Sequence, residues 1–218
     1  MKLHKSLLAL AAAVAAAFST TASANVIVDV SLDTASLAGN PGSPFLLDLQ
    51  LNDGSGTSDA SNTAVVTQLS FGTGSAVGAP QFGGGATASA GTVTLSDSGF
   101  LNFFDQAFMP GSKLSFDLNL TTNVDAGPTP DEFSMSLFDA AGNMIPTTGL
   151  LSAFLVIDID SNAPTIQTFA GSGDFAAIGA PIVSPVAPPG GSVPEPGTVA
   201  LLGLSGIGLL RARRKPRD

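Results

Sequence analysis

The stretch KLSFDLNL, residues 113–120, alternates without a break. Leu114, Phe116, Leu118 and Leu120 fall on one side of an extended chain; Ser115, Asp117 and Asn119 fall on the other. A strand repeats every two residues, and a helix would scatter these apolar side chains around its circumference. The pattern returns in FLLDLQL through Phe45, Leu47, Leu49 and Leu51, and in VIVDVSL through Val26, Val28, Val30 and Leu32. EFSMSLFD repeats it with Phe133, Met135 and Leu137. AVVTQLSF, GTVTLS, FLVIDID and TIQTF add shorter runs. Between them lie LAGNPGSP, NDGSGTSDASN, FGGGATASAG, DAGPTPD and DAAGN, the chemistry of turns and loops. No segment of 25–170 carries apolar residues at helical spacing. These features predict an all-β body over 25–170, a β-sandwich of about eight short strands, with a jelly roll as one way of connecting it. Asp residues on the outward faces are expected to help protect its edges.

The chain has no cysteine, so this body must hold by packing alone. Its ends differ from it. Residues 1–24 begin with a basic Lys2 and Lys5, continue through an apolar Leu7–Phe18, and finish at Ala22-Ser23-Ala24. That order describes a secretory signal peptide handled by the Sec machinery, cleaved after Ala24, with Asn25 opening the mature chain. Residues 171–192 carry Pro181, Pro185, Pro188 and Pro189 without periodicity, and read as a stiff Pro/Gly-rich linker.

Residues 193–218 form a third kind of segment. Gly197–Leu210 is apolar, and as a helix it reaches about 21 Å against the roughly 30 Å of a hydrocarbon core. It is expected to form a short transmembrane helix that crosses with the help of snorkelling Arg side chains or local thinning. Arg211, Arg213, Arg214, Lys215 and Arg217 follow it and should stay cytoplasmic, as should Lys2 and Lys5, which puts the body on the far side. Val193-Pro194-Glu195-Pro196 then lies just outside the membrane, extended and accessible because two prolines deny it a helix.

This tripartite order over 193–217, a tetrapeptide, an apolar helix containing Leu201-Leu202-Gly203-Leu204, and an Arg-rich tail, resembles the PEP-CTERM sorting signal of Gram-negative bacteria. The resemblance implies a substrate of exosortase, a membrane enzyme that cuts at the Pro-Glu-Pro site, in a species that makes exopolysaccharide and biofilm. The body is similar to one recurrent group of such proteins. The likeness runs through Asp33-Thr34, Ser36–Gly39, Leu49–Asn52, Gly91–Leu95, Gly111–Phe116 and Phe133–Asp139, which are packing and turn residues. It implies no biochemical activity.

Charge and inventory exclude several functions. Residues 25–193 hold fourteen Asp, Glu132 and Lys113, a net charge of −14, which repels nucleic acid. The same residues contain no His, Cys, Tyr, Trp or Arg. Nucleophilic catalysis with a histidine base and a typical zinc site are therefore closed to them. A carboxylate pair for glycoside hydrolysis survives on paper. Yet Asp29 and Asp117 read as outward strand residues, and Asp53 and Asp139 as turn formers, so no enzymatic activity is expected. In DGSGTSD, Asp53, Ser55, Thr57 and Asp59 stand at every second position, an echo of calcium-loop spacing that lacks the closing Glu and the later Gly. DIDSN adds Asp158, Asp160 and Asn162 as further oxygen donors. Ordinary Asx-rich turns are the favoured reading, with calcium the one cofactor left open. Phe100, Phe103, Phe104 and Phe108 in FLNFFDQAF read mostly as core. The expectation is an exported, non-enzymatic protein of the cell surface or matrix, structural or adhesive in exopolysaccharide and biofilm, with a calcium-dependent or glycan-binding module as the alternative.

Overall fold

A computed structural model describes residues 25–186 apart from 56, 57, 126 and 162. The signal peptide and its Ala22 and Ala24, the Val193–Pro196 motif, the apolar helix and the basic tail lie outside the described residues.

Thirteen strands are seen among the described residues: β1 (Asn25–Asp33), β2 (Phe45–Asn52), β3 (Thr63–Ser70), β4 (Ser75–Ala76), β5 (Gln81–Gly83), β6 (Thr87–Ser89), β7 (Thr92–Ser96), β8 (Leu101–Met109), β9 (Lys113–Thr121), β10 (Asp131–Phe138), β11 (Leu155–Ile159), β12 (Thr165–Thr168) and β13 (Ile182–Pro185). They form two antiparallel sheets, ordered β13-β1-β9-β3-β7-β6 and β12-β11-β10-β2-β8-β4, with β5 also paired to β8. The expected β-sandwich is present.

The alternation explains the packing. Leu114, Phe116, Leu118 and Leu120 of β9 and Phe45, Leu47, Leu49 and Leu51 of β2 are fully buried, and both rows belong to a single apolar interior. β1 joins it through Val28, Val30 and Leu32, and β10 through Phe133, Met135 and Leu137. Phe71 stacks on Phe108 with ring centroids 4.8 Å apart. A buried side chain of this size contributes about 1.5–3 kcal/mol, which lets a chain without disulfides hold two sheets together.

Besides the two- and three-residue strands β4, β5 and β6, the last of which lies in the expected FGGGATASAG loop, two strands escape a periodicity reading. In β8 the inward row is Asn102, Phe104, Gln106 and Phe108, while Leu101 and Met109 face out, so the hydrophobic pattern is scrambled. The two buried amides are satisfied by backbone: Asn102 donates to the Leu51 and Gly99 carbonyls, and Gln106 to those of Val77 and Ala107. Phe104 and Phe108 fill the core as expected, but Phe100 is 70% exposed. The second strand is β13, which pairs with β1 through Val30↔Val183 and Ser31↔Ile182. Ile178, before it, is buried in the core. The expected linker over 171–192 is thus corrected: the chain is folded onto the sandwich as far as Val186, whose N–H donates to the Ile27 carbonyl. Pro185 fits because β13 is an edge strand, where a missing N–H faces solvent.

The outward Asp residues do not sit on the edges. Asp29 faces Asp117 across β1–β9, Asp48 faces Asp105 across β2–β8, and Glu132 faces Asp158 across β10–β11, all between paired strands. Like charges directly opposite destabilise a sheet. Burial, followed by the facing Asp105 charge, pushes Asp48 up to about 7 from its ordinary 3.8. A carboxyl raised on folding favours the native state when protonated. Its contribution is therefore complete below pH 3.8 and is lost as the pH rises through about 7. Asp48→Asn keeps an acceptor for the Gln50 amide, which donates to Asp48 Oδ2 at 2.6 Å, and removes the charge. It should raise stability at pH 8 by ~1 kcal/mol or more and flatten the fall in Tm between pH 5 and 8, as followed by thermal denaturation.

The β6–β7 hairpin turns through Ala90 and Gly91, at φ +49° and +80°. Two positive φ values in a two-residue loop match a type I′ turn, for which Asn-Gly is preferred and Ala is strained. Ala90→Asn should raise stability by ~0.5–1 kcal/mol in urea denaturation without moving the register.

Candidate functional site

Strand direction assembles the site. β2 ends, β3 begins, β7 and β9 end, and β8 and β10 begin at one pole of the sandwich, because Asn52 pairs with Leu101 and Glu132, and Thr63 with Ser96. Three connections meet there: the β2–β3 loop with Asp53 and Asp59, the β7–β8 loop with Asp97, and the β9–β10 loop with Asp125. Asp131, the first residue of β10, completes the group.

Asn62 is the hub of this pole and is wholly buried. Its side-chain amide donates to the Asn123 carbonyl at 2.8 Å and to Asp131 Oδ2 at 2.7 Å. Its Oδ1 accepts the Asn123 N–H at 2.8 Å, and Asn123 Nδ2 returns a bond to the Ser61 carbonyl at 2.6 Å. One amide therefore ties the β2–β3 loop to the β9–β10 loop and to β10. Gly54 makes a second tie. Its N–H donates to Asp131 Oδ1 at 3.0 Å, and an added Cβ would meet the Pro130 carbonyl oxygen at 1.9 Å. Only glycine allows the two loops to approach this closely.

Around this frame the carboxylates converge. Asp53, Asp125 and Asp131 each offer an oxygen within 4.8 Å of the others, and Asp59, Asp97 and Asp125 do the same. Asp125 is common to both trios. Asp53 and Asp97 are 0% exposed and Asp131 2%. Asp53 Oδ2 accepts the Ser58 N–H, and Asp97 Oδ2 accepts the Asn62 N–H at 2.8 Å. The Ser61 hydroxyl lies 3.2 Å from Asp97 Oδ2 and 3.1 Å from Asp125 Oδ1, but it has one proton and serves one of them at a time. Asp97 Oδ1 and Asp125 Oδ2 are buried without a hydrogen-bond partner. Burial pushes Asp97 up to about 7, with the Asp131 carboxylate adding to the rise. Burial and the charges of Asp131, Asp59 and Asp53 also raise Asp125. Among the described residues no cationic side chain offsets this charge. Lys113, the sole Lys or Arg of 25–193, lies opposite Asp33 at the far end of β9, about 26 Å along the strand from Thr121.

The structure brings two of the four residues in the DGSGTSD stretch to the pole, Asp53 and Asp59. Ser55 instead donates to the Thr129 carbonyl at 3.0 Å, and Thr57 lies outside the described residues. The alternate spacing is therefore not a linear ligand loop. Asp53, expected as a turn former with calcium ligation as the alternative, is a buried member of the cluster. Asp139 is a turn former, accepting the N–H groups of Ala141 and Asn143 and the Asn143 side chain, whose bonds hold its carboxyl below the usual range. Asp158 belongs to another place, beside Glu132, and accepts from Gln167 at 3.1 Å. Asn162 lies outside the described residues. Sequence reasoning missed Asp97, Asp125, Asp131 and Asn62; the signal for them was strand parity, which sends these three connections to the same end.

A groove of about 340 Å³ lies elsewhere, lined by Glu132, Thr148, Leu150, Leu151, Asp158, Gln167 and Phe169 among others. Leu150 is fully exposed at its rim.

Among known families, residues 192–215 match the PEP-CTERM protein-sorting motif. The chain carries a PEP-CTERM protein-sorting motif. The motif makes the chain an exosortase substrate, exported by way of a membrane-associated precursor. No curated protein and no solved structure matches the chain.

Replacing the hub should loosen the pole while leaving the carboxylates in place. Asn62→Ala removes the acceptor of the Asn123 N–H and the side-chain donor to Asp131 Oδ2, at a cost of ~3 kcal/mol in urea denaturation. Hydrogen exchange should show the β9–β10 loop opening in that variant, with the centre of β9 still protected.

Proposed function

We propose that this chain works outside the cell as a non-catalytic structural or adhesive domain of an exopolysaccharide matrix. In this reading the signal peptide and Sec machinery export it, and exosortase then releases it near Pro194-Glu195-Pro196. The observation that carries the reading is the sorting motif at 192–215 on a chain whose described body is one acidic sandwich. The inventory supports it, since 25–193 offers no His, Cys, Tyr or Arg for chemistry. The one acidic pair in the groove, Glu132 and Asp158, comes from adjacent strands of the same sheet. A glycosidase needs its two carboxyls on either side of the scissile bond, and neighbours on one wall do not flank a sugar in that way.

The same groove favours a second reading, glycan binding. Thr148, Gln167 and Asp158 supply hydrogen-bonding groups beside the Phe169 ring. Binding of exopolysaccharide fragments, lost in Gln167→Ala, would favour it over a purely structural role.

Changing Pro194-Glu195-Pro196 to three alanines should leave the chain exported, uncut and held in the membrane. Intact-mass analysis of membrane, medium and matrix fractions tests this. The native chain is expected in the matrix fraction with a mass spanning Asn25 to about Glu195, and the variant in the membrane fraction ending at Asp218. Normal processing of the variant would refute the role of the motif. A processed native chain that stays out of the matrix fraction would refute the matrix role alone.

A further inference from the structure

We propose that the acidic pole is a calcium-binding site in which Asp125 links Asp53 and Asp131 on one side to Asp59 and Asp97 on the other. Two observations of different kinds carry this. The first is convergence: each trio offers three carboxylate oxygens within 4.8 Å of one another. Two oxygens bound to one calcium ion at ~2.4 Å stand at most ~4.8 Å apart, so each trio lies within the span of a single coordination sphere. The second is the orphaned oxygen. Asp97 is wholly buried, its Oδ2 is occupied by the Asn62 N–H, and its Oδ1 has no partner. It belongs to the residue that meets Asp59 and Asp125. A buried carboxylate oxygen with no donor is rare and expensive, and a cation is the partner this pole otherwise lacks.

The donor set selects the ion. All the groups are hard oxygens, with no His or Cys anywhere in 25–193, which disfavours zinc, copper and iron. Four of the five ligands come from three loops, and Asp131 from the start of β10. Calcium accepts six to eight oxygens in an adaptable shell, whereas magnesium demands a near-ideal octahedron and keeps its waters. The site would join the β2–β3, β7–β8 and β9–β10 loops, and so brace both sheets at one end. It is independent of the reading of the tail and of the groove.

The test is thermal unfolding of the full chain in detergent micelles, stripped with EDTA and then titrated with CaCl₂. Calcium at ~100 times its dissociation constant should raise Tm by ~5–10 °C. Calorimetric titration should give a submillimolar constant, and magnesium at equal concentration a much smaller shift. Asp97→Asn and Asp125→Asn should abolish the calcium shift. Without calcium they should be at least as stable as the native chain, because each removes a charge from a crowded cluster. That second readout separates a ligand from a residue that merely supports the fold. Asp158→Asn, away from the pole, should keep the full shift. An unchanged Tm in calcium, an equal response to magnesium, or a full shift retained in both pole variants would overturn the proposal.

Discussion

Two sheets share a single apolar interior, and the rest of the molecule is arranged around keeping it dry. Leu114, Phe116, Leu118 and Leu120 of β9 and Phe45, Leu47, Leu49 and Leu51 of β2 contribute eight fully buried side chains to it. No disulfide shares the task. Because the side-chain period is two, a slip of one residue in either strand would turn four apolar side chains away from the core and bring at least three polar ones into it. Register is therefore set by burial, and once it is set the strand ends and their loops are placed.

The acidic charge is the cost that goes with this plan. Each inward apolar position is followed by an outward one, and the chain fills many of those with Asp. Where paired strands align, acids come to face acids, as at Asp48 and Asp105. Where strands end, the acids collect in loops, as at Asp53, Asp97 and Asp125. Lys113 sits at the opposite end of β9 from the pole and does not reach the loop acids. Asp48 in its sheet pair and Asp97 at the pole are both raised enough to hold a proton near neutral pH. The pole adds buried oxygens without donors and a frame of hydrogen bonds centred on Asn62 that holds the carboxylates close together. The tail motif, at 192–215, follows directly on the last described part of the body, so the same short chain carries an address and a folded cargo.

The main strands were legible because an apolar row on one face alternates with mainly polar residues on the other in β1, β2, β9 and β10. β8 was not, because Asn102 and Gln106 take inward positions, and their amides are satisfied by carbonyls that belong to other strands and loops. β13 was not, because an edge strand pairs on one side only and tolerates Pro185, so its composition looks like a linker. At the pole, Asp53 and Asp59 could be suspected from spacing, but Ser55 turned to Thr129, and the stronger partners came from sequence far away.

What the sequence determined by itself was what depends on neighbours along the chain. The alternation specified strands, Gly- and Pro-rich stretches specified where they stop, and the tripartite C-terminal pattern, read linearly by an enzyme, specified the sorting motif. Tertiary structure alone decided what depends on residues far apart. It set which strand ends share a pole, which acids face each other, and which carboxylate oxygen was left without a donor. Asp53 and Asp131 lie 78 positions apart in the chain and meet because antiparallel pairing of β2 with β10 brings the end of one to the start of the other. Local patterns record which face of a strand is buried; they carry no record of what waits at its end.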